Sequence, residues 1–362
     1  MTEVLEWNRR ASKAVCCAAL NLLLTAAVSM LFAPGAPRAA AQAKTAGRLL
    51  IYSIDVEGGQ STLLVAPSGA SLLVDTGWPD NNGRDTQRIE DAMHDAGITR
   101  LDHVLITHFH DDHVGGVPNL VAKVQVGEFI DHGENREDSD DTRNNYAAYL
   151  KAIKGHPRRI VHPGDTIAIP GLSTIVLTAD GEHIASVPGI KPVPNPYCAS
   201  EPKWDLDATE NPRSVGILVT YGKFKFLDLG DLTKPKEIDL VCPNNPIGHV
   251  DLFLVSHHGW DQSNTRALVD AIHPRVAIMN NGARKGGSPG PWQTVHESPG
   301  LEDLWMLHTA EGSDAAHNSA EALIANPKGD GDGHDLKVAV SPDGSFSVTN
   351  SRTGKTKEYA RK

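Results

Sequence analysis

Thr107-His108-Phe109-His110-Asp111-Asp112-His113 closes the run Asp102–Ile106 with three histidines and two aspartates in seven residues. In an extended segment His108 and His110 point the same way, because side chains alternate with period 2. That pair grips one ion. Asp112 and His113 follow where the chain bends into Val114-Gly115-Gly116, and from there they face a second ion beside the first. The spacing therefore reads as a dinuclear site, and imidazole with carboxylate suits zinc, with manganese or iron as alternatives. A solvated, histidine-rich loop is the competing reading, and the density of ligand groups argues against it.

Four more stretches bear on the same site: Asp55-Val56-Glu57-Gly58-Gly59-Gln60-Ser61, Leu72-Leu73-Val74-Asp75-Thr76-Gly77, Phe226-Leu227-Asp228-Leu229-Gly230-Asp231 and Val255-Ser256-His257-His258-Gly259. With them the chain resembles the metallo-β-lactamase superfamily. Within it the likeness is greatest to the hydrolase domain of bacterial DNA-uptake (competence, ComEC-like) proteins and their secreted relatives, although the residues after Val56 depart from that group's opening motif. The resemblance implies an α/β (α+β) fold, an αββα sandwich of two mixed β-sheets flanked by helices, with a two-metal site at one edge. It also implies that Asp231 bridges the ions, whereas position alone allows an acidic residue at a helix start. His257 and His258 end an apolar strand and point to opposite sides, so one of them completes the second ion and the other serves substrate or a proton. The family's further histidine for the first ion has four candidates, His132, His156, His162 and His183; His183, after Thr178-Ala179-Asp180-Gly181, is preferred. Asp55 and Asp75 read as groups that orient histidines.

The chain has 362 residues and a formal net charge of -11. The charge argues against a stable nucleic-acid complex, since backbone binding relies on Lys/Arg clusters. Arg9, Arg10 and Lys13 precede an apolar run, 14–32, and small residues ending Ala41-Gln42-Ala43. Residues 1–43 thus read as a secretory signal cleaved near Ala43, or as an uncleaved anchor, which alone would give membrane contact. Residues 44–362 form the hydrolase domain of an exported, periplasmic or extracellular protein. Cleavage leaves Cys198 and Cys242, either one disulfide or two buried thiols, while a metal ligand is disfavoured because neither sits beside another ligand motif.

Along the domain, alternating apolar runs predict strands over 49–55, 61–66, 71–75, 172–178, 214–221, 223–229, 251–256, 276–280, 337–341 and 345–348. Helical spacing predicts helices over 88–96, 234–241 and 264–272. Residues 133–145, acidic and polar, and 179–212, rich in proline, fit neither rhythm and read as loops, the second as a wall of the cleft or a plain surface loop.

Two ions sharing a water lower its pKa and hold an electrophile against the resulting hydroxide. The expected function is an exported hydrolase using that metal-bridged hydroxide, on phosphodiesters by resemblance to the competence group. β-Lactam or lactone hydrolysis is the alternative, and an inactive metal-binding module a second. The expected ligands are His108, His110, Asp112, His113, His183, Asp231, His257 and His258. Asp112, His257, His258 and Asn281 are the expected catalytic groups, with Asn280-Asn281-Gly282 and Arg284-Lys285 as oxyanion or phosphate binders, or an ordinary Asn-Gly turn.

Overall fold

The computed structural model describes residues 46–79, 81–329, 331 and 333–362; the signal or anchor expected over 1–43 lies outside them. One sheet runs, in spatial order, Lys355–Tyr359, Phe346–Asn350, Leu336–Val340, Leu49–Ser53, Thr62–Val65, Ser71–Val74, Arg100–Leu105, Gln125–Asp131 and Arg158–Ile160. Its pairings turn from antiparallel to parallel at Ser71–Val74. The other runs Ile324–Asn326, Asp303–His308, Val276–Met279, Leu252–Leu254, Phe224–Asp228, Gly216–Tyr221, Ser173–Ala179 and Glu182–His183. There the change of direction falls at Phe224–Asp228, which pairs parallel with Leu252–Leu254 and antiparallel with Gly216–Tyr221.

Period-2 alternation explains the layering. Leu49 and Ile51 face the other sheet's Val176, Ile217, Leu254 and Ile278, while Leu50 and Tyr52 of the same strand turn outward. The outward set packs on Ile89 and Met93 of helix Arg84–Ala96, Leu120 of Val117–Lys123 and Tyr149 of Asp140–Ala152. The second sheet's outer face carries Leu240, Leu268 and Trp292 of helices Lys234–Val241, Arg266–Ile272 and Pro289–His296. Helix, sheet, sheet and helix are thus stacked as expected. Each fully buried Leu or Ile contributes about 1.5–3 kcal/mol against exposure, so the sandwich core fixes the scaffold independently of any ion.

Differences from the sequence reading have local causes. Helix Asp140–Ala152 begins inside the stretch expected to be loop: Ser139 Oγ accepts from Thr142 N, and Asp140 and Asp141 occupy the first turn. These are helix-start signals hidden in a polar composition. Helix Pro289–His296 has prolines in its first turn, where a missing N–H costs nothing. The proline-rich segment is tied down by a Cys198–Cys242 disulfide with Cα atoms 5.9 Å apart, which answers the pairing question. Among the described residues, no helix is long and apolar enough to cross a membrane.

Candidate metal centre

Three strands, one from the first sheet and two from the second, deliver the ligands, and each ligand lies past its strand's carboxyl end, where α/β sheets open their crevices. His108 and His110 follow Arg100–Leu105, Asp231 follows Phe224–Asp228, and His257 and His258 follow Leu252–Leu254. Asp112 and His113 sit on the one-turn helix Asp111–Val114, which reverses the chain so that both rejoin the other histidines. One donor atom each from Asp112, His113, Asp231 and His258 lies within 4.8 Å of all the others, and all four residues are buried. His258 Nε2 is 3.0 Å from Asp112 Oδ2 and 3.5 Å from Asp231 Oδ2. His113 Nε2 is 3.3 Å from Asp112 Oδ2 and 3.2 Å from Asp231 Oδ2. Beside this group His108 Nε2 and His110 Nδ1 stand 3.0 Å apart, and the His108 and His113 ring centroids are 4.1 Å apart.

Whether these residues suit cations is decided by where their lone pairs point. Thr107 Oγ1 donates to Asp75 Oδ2 at 2.7 Å, so it accepts from His108 Nδ1 at 3.1 Å. His113 Nδ1 donates to the same Asp75 oxygen at 2.7 Å. Ser263 Oγ spends its proton on Leu232 O, 2.8 Å, and therefore accepts from His257 Nδ1, 3.2 Å. His110 donates its outer nitrogen, Nε2, to Glu137 Oε2 at 2.9 Å. In the His108, His110 and His257 rings the outer hydrogen bond fixes the tautomer and leaves the inner nitrogen as a lone pair aimed at the cluster, and at His113 a cation would free the same lone pair by displacing the proton that the surrounding carboxylates hold. Asp231 Oδ1 and His258 Nδ1 are buried without a hydrogen-bond partner. Convergent lone pairs and an orphaned carboxylate oxygen fit a pair of divalent ions sharing Asp231.

The charges of the cluster are coupled. Burial would raise the Asp112 and Asp231 carboxyls, yet His113 holds both well below the usual range, with help from Lys285 at Asp112 and from His257 and His258 at Asp231. Burial would lower His113, but Asp231, Asp112 and Asp75 hold it well above its ordinary value. His108 is driven well below that value by burial and by His113 and His110. Burial also takes His257 down to about 4.

His257 and His258 do not diverge as a strand would have them. Both adopt left-handed backbone, φ 54° and 53°, and the turn brings both Nε2 atoms toward Asp231, His257 at 3.4 Å. Two non-glycine residues in that region cost on the order of 1–3 kcal/mol each. Gly259 completes the turn at φ 77°, and a Cβ there would meet Met279 S at 2.6 Å. The stretch Asp55–Ser61 contributes no ligand: Gln60 N donates to Asp112 O at 3.0 Å and so braces the metal loop.

Two expected site residues are corrected. His183 is exposed on a two-residue edge strand, and its Nε2 meets Asp239 O at 2.9 Å, outside the cluster. The strand-end position that recommended it turns the ring to solvent. His132 is engaged with buried Glu210, and His162 lies exposed beside Asp165, so neither supplies the missing histidine. His156 stacks edge-on against Phe129 instead. Asn281 is also no oxyanion donor: fully buried, it spends its amide on Gly282 O and His308 O, at 3.0 and 2.9 Å. Lys285 from the same loop does reach the site, where its ammonium contacts Asp112 Oδ2 and lies 4.6 Å over the Trp78 ring. Arg284 instead pairs with Glu311.

Glu137, Ser263 and Trp78 were not singled out from sequence. Glu137 sits in the acidic stretch, where nothing in its spacing distinguishes it from its neighbours. A cavity of about 290 Å³ opens beside Ser263, lined by Trp204, Glu201, Lys234, Asp261 and Thr265 among others. Trp204 and Glu201 belong to the proline-rich segment, which therefore does wall a cavity at this edge.

Residues 55–195 match the family described as the metallo-beta-lactamase superfamily. Recombination protein 2 of Haemophilus influenzae is 24% identical over 249 residues, 68% of this chain and 25% of that protein. Atrochrysone carboxyl ACP thioesterase of Aspergillus terreus is 41% identical over 68 residues, 17% of this chain and 19% of that one. The chain thus spans a quarter or less of the length of either. Among solved structures, the metallo-beta-lactamase fold protein YhfI of Bacillus subtilis is 11% identical, covers 72% of this chain and 96% of its own, and superposes with a TM-score of 0.43.

Proposed function

From the metallo-β-lactamase superfamily fold of this chain, we propose a metal-dependent hydrolase that carries two divalent ions and cleaves phosphodiesters. The observation that carries the reading is the buried group Asp112, His113, Asp231 and His258, with His108 and His110 beside it. When bound, two such ions supply Lewis acidity and a water made acidic near neutral pH. The chain's own residues set the stage for that chemistry. Thr107, Asp75, Ser263 and Glu137 hold the histidine tautomers, and Asp112 and Asp231 provide the compensating negative charge.

Lys285 favours an anionic substrate. Its ammonium sits at the mouth of the site, where it can pass from Asp112 to a phosphoryl oxygen and offset developing charge. Trp78 beneath it excludes water from one side. The likeness of the sequence motifs to the competence-type domain and the name of the Haemophilus relative support nucleic acid, a nucleotide or another phosphodiester polymer as the substrate class. With a net charge of -11 the chain is expected to act on such a substrate without holding nucleic acid in a stable complex. Zinc is the proposed metal and manganese or iron the alternatives. The disulfide supports an exported, periplasmic or extracellular location, with residues 1–43 as the proposed signal.

A second reading, hydrolysis of an activated carbonyl in a thioester, lactone or β-lactam, is favoured by the short match to a named thioesterase. Turnover of bis(p-nitrophenyl) phosphate, a chromogenic cephalosporin and a hydroxyacylglutathione thioester by the purified chain decides between them. Phosphodiester turnover alone supports the first reading; turnover of either carbonyl substrate with none of the phosphodiester replaces it with the second.

A further inference from the structure

The two ion positions are built differently. Asp112, His113, Asp231 and His258 offer four donors from strand ends and a helix packed on the core. The other position has His108 Nε2, His110 Nδ1 and the unpartnered Oδ1 of Asp231, and none of the candidate histidines joins it. What stands behind these two rings instead is a pair of polar segments. Glu137 Oε2 accepts from His110 Nε2 at 2.9 Å and from the backbone N–H of Glu210 at 2.9 Å, so it ties the acidic loop, the ring and the turn Asn211–Arg213 together. At the far end of that turn Ser214 Oγ lies 3.5 Å from His108 Nδ1 and accepts from Asp231 N at 3.2 Å. Between these anchors sits Asn211, 5% exposed, with its side-chain Oδ1 buried and unpartnered. A buried amide oxygen without a donor destabilises the fold unless something binds it.

We propose that Asn211 supplies the third protein donor to the His108–His110 ion in place of a histidine, with Glu137 as the positioning residue for His110. The proposal rests on the two-ion reading above. A neutral amide oxygen is a weaker ligand for zinc than imidazole. The Asp112–His113–Asp231–His258 position therefore fills first and holds its ion, and the His108–His110 position fills second and exchanges.

The test is titration of the full, chelator-stripped chain with Co(II), followed by calorimetry and by the visible absorption of the bound ion, with thermal melts of the apo forms as a folding control. The expected result is two binding steps separated at least tenfold, and one ion retained after gel filtration. Asn211→Ala should weaken the second step at least tenfold and leave the first within twofold, whereas Asn211→Asp, which adds a charge, should tighten it and shift the absorption. Glu137→Ala should weaken the second step, and Glu137→Gln should largely restore it, because an amide oxygen still accepts from His110 Nε2. Two ions bound with a second step indifferent to both Asn211 variants overturns the proposal alone. A single ion at every metal concentration overturns the two-ion reading beneath it.

Discussion

His113 Nδ1 lies 2.7 Å from Asp75 Oδ2, and both side chains are wholly buried. The same carboxylate takes the N–H of Thr107, 2.8 Å, and its hydroxyl, 2.7 Å. One carboxylate at the end of Ser71–Val74 thus aligns the histidine of one ion position directly and that of the other through Thr107.

Asp75→Asn is accordingly expected to reduce metal affinity about 10–100-fold, the usual cost of losing a group that orients a ligand. The check is calorimetric zinc titration of the apo variant. Unaltered affinity at both steps would show that the rings are held by packing alone.

Asp231 touches His113, His257 and His258 and keeps one oxygen free, so its charge is the hub of the site. Asp231→Asn should abolish the second ion and lower phosphodiester turnover by at least three orders of magnitude, on the order of 4 kcal/mol of transition-state stabilisation. Circular dichroism should be unchanged, because the sandwich core contains none of the ligands.

Lys285→Ala should raise KM for bis(p-nitrophenyl) phosphate about tenfold, equivalent to one charge-assisted hydrogen bond of about 1.4 kcal/mol, while leaving a neutral ester's KM unaffected. Equal losses on the charged and neutral substrates would assign Lys285 to holding Asp112 and not to anion binding.

Glu237 gives a pH dependence away from the ligands. Wholly buried, it is pushed from 4.5 up to about 7, against the opposing N–H bonds of Thr265 and Asn264. Its folded pKa lies above the unfolded one, so the folded chain keeps a proton that the unfolded chain has lost. Its contribution is present in full below pH 4.5 and is lost as pH rises through about 7, roughly 3 kcal/mol in all. Urea melts between pH 5 and 7.5 should show that decline in the wild type and its absence in Glu237→Gln, whatever the variant's offset. Parallel curves for the two proteins would contradict it.

Much of the site was legible in the sequence because metal ligands are bought with spacing: His108, His110, Asp112 and His113 are neighbours, and Asp231 and His257-His258 stand where apolar strands end. The strands were legible for a similar reason, since runs such as Leu49–Ser53 are bounded by turn residues, and the sandwich they build was what the family resemblance implied. What escaped depends on tertiary approach. Glu137 reaches His110 across 27 residues, a distance that leaves no local pattern, and although Lys285 was expected as an anion binder, its approach to Asp112 across 173 residues left none either. The divergence expected of His257 and His258 failed because they sit in a left-handed turn and not in a strand. His183 failed because a strand end can face solvent as readily as a site.

The most direct measurement is the rate of bis(p-nitrophenyl) phosphate hydrolysis by the purified chain before chelation, after EDTA, and after return of Zn(II) or Mn(II), with Asp231→Asn alongside. Turnover that EDTA removes and metal restores is expected in the wild type, and none at any step in the variant. Turnover that survives EDTA, or that Asp231→Asn retains, would contradict a two-ion hydrolase.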